Sequence, residues 1–85
     1  TLHKLPMTYA GRFVAENEGQ MGLCKILVSP DNRVLGVHML GNPCSEFICA
    51  ACMAITNSLT VEQLRRTVFP HPTVSEILKE GLMNV

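Results

Sequence analysis

The sequence predicts an α+β domain, an antiparallel sheet with helices packed on it, in the order β-β-β-α-α-α. Three observations carry this reading. Short runs rich in β-branched and apolar residues fill the first half. Helix-entry signals recur through the second half, at Asn42-Pro43, Thr60-Val61-Glu62-Gln63 and Thr73-Val74-Ser75-Glu76. Strands are thus followed by helices instead of alternating with them, which favours a helix-covered antiparallel sheet over a parallel one.

Taken in order, Leu5, Met7 and Tyr9 alternate with other residues and lead into Arg12-Phe13-Val14-Ala15, so a first strand is expected over most of 6–16. Glu16-Asn17-Glu18-Gly19 is a polar turn. The runs from Gly22 to Val28 and from Val34 to Leu40 flank Ser29-Pro30-Asp31-Asn32, a tight-turn sequence, and should pair as an antiparallel hairpin. Neither run alternates cleanly, which implies that both faces of the sheet are covered. Asn42 as N-cap and Pro43 at the first helical position open a helix over Cys44 to about Asn57, and this helix is apolar nearly all round, as expected of one buried on more than one side. A second helix runs from Thr60 to Arg65 or Arg66, and a third from Pro72 or Thr73 to about Gly81. No internal repeat or low-complexity tract interrupts the chain.

Length allows one domain, 1–85. At this size only about 60% of the unfolded surface is buried on folding, yet hydrophobic residues make up 47% and charged residues 16%, against about 25% charged in an ordinary soluble domain. Apolar surface should be left over, and a permanent interface with another domain or subunit is its usual use. Seven acidic and seven basic residues cancel, so charge points neither to nucleic acid nor to a membrane surface. No apolar run reaches membrane-spanning length, and no secretory signal pattern opens the chain. A start at Thr1 fits a fragment of a longer protein.

Four cysteines are too sparse for a secreted disulfide scaffold. Reduced, mostly buried thiols in a cytoplasmic protein are expected. Cys49-Ala50-Ala51-Cys52 is a C-x-x-C, and Cys44 and Cys49 are separated by four residues, but thiols inside a continuous helix do not easily reach disulfide geometry. Core packing is the default reading, and no metal site is assigned. His38, among apolar strand residues, and His3, near a frayed end, read as structural. There is no G-x-G-x-x-G and no P-loop, so this chain alone is not expected to hold FAD, NAD or another nucleotide.

The segment that most suggests chemistry is Pro70-His71-Pro72-Thr73-Val74-Ser75-Glu76. Each proline biases the residue before it towards extended backbone, so His71 is displayed on a stiff bracket. A carboxylate from Glu76 on one ring nitrogen would leave the other to take a proton, a construction suited to a general base. A second reading stands beside it: Glu76 closes a capping box, and the block is only a helix entry.

Four blocks carry a family resemblance: 22–27, 34–41, Ser45-Glu46-Phe47-Ile48, and His71-Pro72-Thr73-Val74-Ser75-Glu76. Together they resemble the C-terminal dimerisation domain of the pyridine nucleotide-disulfide oxidoreductases, most of all the branch that reoxidises dihydrolipoyl groups with NAD. The resemblance implies a homodimer in which His71 and Glu76 enter the partner subunit's active site as the acid/base pair, with the His71-Pro72 bond a candidate cis peptide and Pro72 near the partner's flavin. It also implies FAD and NAD domains upstream, absent here, and a lipoyl-bearing protein of a 2-oxoacid dehydrogenase or glycine cleavage complex as partner. Phe69 stands where many members carry a second histidine, and Cys44 where small residues are usual. The alternative is a non-catalytic dimerising module or a Cys/His metal-binding one.

Overall fold

The computed structural model describes residues 1–17 and 19–83. Glu18 of the expected turn lies outside the described residues. Three antiparallel strands, β1 (Leu2–Leu5), β2 (Leu23–Val28) and β3 (Val34–Leu40), form one sheet in the order β1-β2-β3. Three helices follow: α2 (Cys44–Thr56), α3 (Val61–Arg66) and α4 (Glu76–Leu82). The α+β class is as the sequence predicts.

The first strand is not where the sequence placed it. It occupies Leu2–Leu5 and stops at Pro6, while Met7–Tyr9 form a 3₁₀ turn and Gly11–Glu16 form a short helix, α1. Proline has no N–H to continue the ladder. Beyond it, Phe13 is fully buried while Arg12, Val14, Ala15 and Glu16 stay outside, a helical burial pattern supported by the i,i+4 ion pair between Arg12 and Glu16. His3 therefore sits inside β1, opposite Ile26, instead of in a frayed end.

The hairpin forms as expected, with Leu23 opposite Leu40, Ile26 opposite Val37, and a register shift at Leu27/Val28. Its turn is closed by Ser29 N–H to the Arg33 carbonyl (2.9 Å) and by Asn32 N–H to the Ser29 carbonyl (2.9 Å). Asn32 takes the left-handed conformation, φ 62°, which asparagine tolerates better than most residues. The Ser29 hydroxyl and the Arg33 guanidinium both engage Asp31, and their hydrogen bonds and charge hold its carboxyl below its usual range.

One face of the sheet is covered. Leu5, Cys24, Ile26, Val28 and Val34 join Met7, Ala10, Phe13, Val61, Val74, Ile77 and Leu82 in a single core. Gly81 lets α4 lie close on the sheet, because a Cβ there would fall 2.6 Å from Ile26 Cδ1. The opposite face is open, with Leu27 and Leu40 exposed, so the expectation of two covered faces fails within the single chain. The same holds for α2, which buries only Ala51 and Ala54 and leaves Cys49, Cys52, Met53 and Ile55 exposed. Uneven alternation in these segments reflects surplus apolar surface rather than a thicker core.

The entry to α2 also differs. The Asn42-Pro43 peptide is cis, Cys44 is the first helical residue, and the Asn42 side chain does not cap the helix. The Asn42 carbonyl instead accepts a hydrogen bond from Asn17 Nδ2 (3.0 Å). At α3 the predicted capping box forms in full: Gln63 N–H donates to Thr60 Oγ1 (3.2 Å), and Thr60 N–H donates to Gln63 Oε1 (2.9 Å).

Candidate functional site

The loop from Thr67 to Ser75, between α3 and α4, carries the Pro-His-Pro block. Its backbone is pinned at several points. Thr73 Oγ1 donates to the Pro70 carbonyl (2.7 Å), Lys79 Nζ to the Thr67 carbonyl (3.4 Å), and Arg12 Nη1 to the Pro72 carbonyl (3.3 Å). Val74 is buried in the core, which fixes the loop's exit into α4. The His71-Pro72 bond is cis, the isomer the resemblance implied.

Within this frame the two candidate site residues meet. His71 Nδ1 lies 2.9 Å from Glu76 Oε1 and 3.0 Å from Oε2. The side chain of His71 is 78% exposed, whereas that of Glu76 is 19% exposed. A nearly sheltered carboxylate thus holds the inner nitrogen of a displayed ring. In the tautomer whose Nδ1–H donates to the carboxylate, Nε2 carries the lone pair and is left to take a proton.

The capping box read from Thr73-Val74-Ser75-Glu76 forms only by half. Thr73 N–H donates to Glu76 Oε2 (3.3 Å), but Thr73 Oγ1 turns to the Pro70 carbonyl, and the helix begins at Glu76 itself. Glu76 therefore serves the helix entry and the imidazole together, so the two sequence readings of this residue are compatible. Burial pushes its carboxyl up, but the hydrogen bonds from His71 and from the Thr73 N–H, with the charges of His71 and Lys79, outweigh that and leave it below its usual range.

Two residues of this frame were not singled out from the sequence. Arg12 falls in the 6–16 segment that reads as strand, and the sequence signal for its helical position is its i,i+4 relation to Glu16. Lys79 stands three residues after Glu76, one helical turn away on the same face, and adds positive charge beside the carboxylate.

The cysteines lie apart from this site. All four are free; Cys24 is buried, Cys44 half-buried, and Cys49 and Cys52 are exposed, so the expectation of mostly buried thiols holds for Cys24 alone. Cys44, Cys49 and Cys52 share the continuous helix α2. Burial pushes the Cys24 thiol up to about 11. Among the described residues, no three His, Cys, Asp or Glu side chains are gathered as metal ligands, and no helix is long and apolar enough to cross a membrane. The sheet is wholly antiparallel, and among the described residues the strand-turn-helix passage from β3 into α2 turns through Gly41-Asn42-Pro43 rather than a G-x-G-x-x-G, so it does not fit a dinucleotide pyrophosphate.

Beside the loop, a groove of about 520 Å³ runs between α2, α3 and residues 67–70, with Phe47, Met53, Leu64, Val68 and Phe69 among its lining. Val68 is 87% exposed. Apolar surface therefore continues from α2 up to the base of the His71 bracket.

Comparison with known proteins identifies a family. Residues 1–82 match the model of the pyridine nucleotide-disulphide oxidoreductase dimerisation domain. Dihydrolipoyl dehydrogenase 3 of Pseudomonas aeruginosa is 40% identical over 83 residues, covering 96% of this chain and 18% of that protein. Its namesake in Pseudomonas putida is 37% identical over the same length and coverage. Dihydrolipoyl dehydrogenase 2, chloroplastic, of Arabidopsis thaliana is 40% identical over 68 residues, 79% of this chain and 12% of that protein. The chain thus spans less than a fifth of the length of these relatives. The family match over residues 1–82 and these relatives lead to one assignment: the chain belongs to the dimerisation-domain family of the pyridine nucleotide-disulphide oxidoreductases.

Proposed function

We propose that this chain is the interface domain of a dihydrolipoyl dehydrogenase, and that it lends His71 and Glu76 as an acid/base pair to the active site of a second subunit. The observation that carries the proposal is the pair itself: an exposed imidazole whose Nδ1 is held at 2.9 and 3.0 Å by both oxygens of a sheltered, ionised Glu76. Names of relatives narrow the substrate class to dihydrolipoyl groups.

In this reading Nε2 of His71 takes the proton from a dihydrolipoyl thiol, and the resulting thiolate is the nucleophile of thiol-disulfide exchange. Glu76 fixes the tautomer and stabilises the imidazolium that forms, keeping its own charge throughout, as its lowered carboxyl favours. The redox-active disulfide that the family resemblance implies in domains upstream would accept the electrons of the dithiol, and FAD and NAD bound there would supply their transfer to nicotinamide. Pro72, exposed next to the base, is placed near the partner's flavin in this reading, and no residue of this chain is assigned as a cofactor ligand.

Exposed apolar residues on α2, in the groove and on the open sheet face support a homodimer and an interdomain contact, because contiguous exposed apolar surface marks interaction sites. A lipoyl-bearing protein of a 2-oxoacid dehydrogenase or glycine cleavage complex is the proposed macromolecular partner. Free thiols fit a reducing cytoplasm.

The test is His71→Gln in the full-length enzyme, followed by stopped-flow reduction with dihydrolipoamide. Loss of a general base should slow that half-reaction by about 10²- to 10⁴-fold with flavin content unchanged. An unaltered rate would refute the assignment.

A further inference from the structure

The His71 loop is tied to a distant part of the chain through one side chain. Arg12 stands on α1, sixty positions before Pro72 in the sequence, and its Nη1 donates to the Pro72 carbonyl at 3.3 Å. Its Nε is held by Glu16 on the same helix, so the guanidinium is oriented from behind and donates forward. Helix α1 is in turn anchored by Phe13, which is fully buried. Thr73 and Lys79, the other side chains that hold loop carbonyls, lie in the loop itself and in α4, the helix it enters. Arg12 alone among these three reaches the loop from an element that does not adjoin it in sequence.

We propose that Arg12 is a positioning residue for His71: braced by Glu16, it holds the Pro72 carbonyl and so sets the direction in which the imidazole is presented. The inference rests on the reading of His71 as the base. Pro72 follows His71 directly, so rotation of its carbonyl turns the backbone on which the ring is mounted. A base must lie within hydrogen-bond reach of the proton it takes, and misplacement by about 1 Å can cost a large part of its rate contribution. Arg12 touches no reacting atom in this scheme; it acts through His71.

A double-mutant cycle in the full-length enzyme tests this. Arg12→Ala should lower kcat for dihydrolipoamide oxidation about 5-fold, the rate equivalent of one net hydrogen bond of about 1 kcal/mol, with little change in KM. Arg12→Lys, which keeps a donor and a charge, should recover most of it. In a His71→Gln background, Arg12→Ala should have no further effect, because a positioning residue has nothing left to position. Equal losses in both backgrounds would mark a merely structural contact and overturn the inference, as would a wild-type rate for Arg12→Ala. If His71→Gln itself leaves the rate unchanged, it is the parent reading that fails.

Discussion

Gly22 and Gly19 provide a controlled pair for testing how β2 is seated. Both adopt left-handed backbone, φ +59° at Gly22 and +77° at Gly19, so alanine at either meets comparable conformational strain, about 1–2 kcal/mol. Their surroundings differ. A Cβ at Gly19 would have nothing within 4 Å, whereas one at Gly22 would fall 2.6 Å from the Leu40 carbonyl oxygen, 2.6 Å from Met7 Cγ and 2.9 Å from Met7 Cβ. The Leu40 oxygen belongs to the backbone at the end of the β2/β3 ladder, and Met7 is fully buried, so neither can yield without shifting the sheet or the core. Overpacking of that kind costs about 1–3 kcal/mol. Alanine also restricts the unfolded chain, but equally at both sites, so that effect cancels in the comparison. Gly22→Ala should therefore be less stable than Gly19→Ala by about 1–3 kcal/mol, read as a lower urea midpoint at unchanged slope. Equal midpoints for the two variants would show that Met7 and Leu40 do not confine Gly22, and the packing account would be wrong.

Further expectations follow from the titrating groups. Cys24, buried and shifted up to about 11, should resist alkylation at about pH 8 while exposed Cys49 and Cys52 react; mass spectrometry showing early labelling of Cys24 would contradict its burial. The lowered Glu76 carboxyl contributes stability that is fully present above its ordinary value of 4.5 and is lost as pH falls through its folded value. Glu76→Gln should accordingly be less stable than wild type near neutrality, with the two converging in acid, and a gap independent of pH would sink this reading of the pair.

Much of the fold is legible in the sequence where local chemistry has only one outlet. Ser29-Pro30-Asp31-Asn32 closes the hairpin, and Thr60 with Gln63 caps α3, because in each case the residues that make the turn or cap are neighbours in the chain. The 6–16 segment misleads because Leu5, Met7 and Tyr9 mimic strand alternation, while the decisive events are Pro6 ending the ladder and Phe13 entering the core beside Gly41. Contact with a distant glycine has no local signature. Burial of α2 misleads for a different reason: Met53, Ile55 and the exposed cysteines have the composition of an interior, and a single chain does not reveal which of its apolar faces another molecule covers. At the candidate site, His71 and Glu76 are legible from their spacing, since a loop entering a helix brings the two side chains together. Arg12 is not, because its partner lies sixty residues away.

The most direct measurement of the central claim is subunit complementation. On the proposed function, one full-length subunit carries His71→Gln and the other lacks the redox-active disulfide that the family resemblance implies upstream; each homodimer should then be inactive in dihydrolipoamide oxidation. If His71 serves the neighbouring subunit, the mixed dimer unites one intact disulfide with one intact histidine across the interface, and activity returns at about half the wild-type rate per dimer. A mixed dimer as inactive as its parents would place the base and the disulfide in the same subunit and contradict the account.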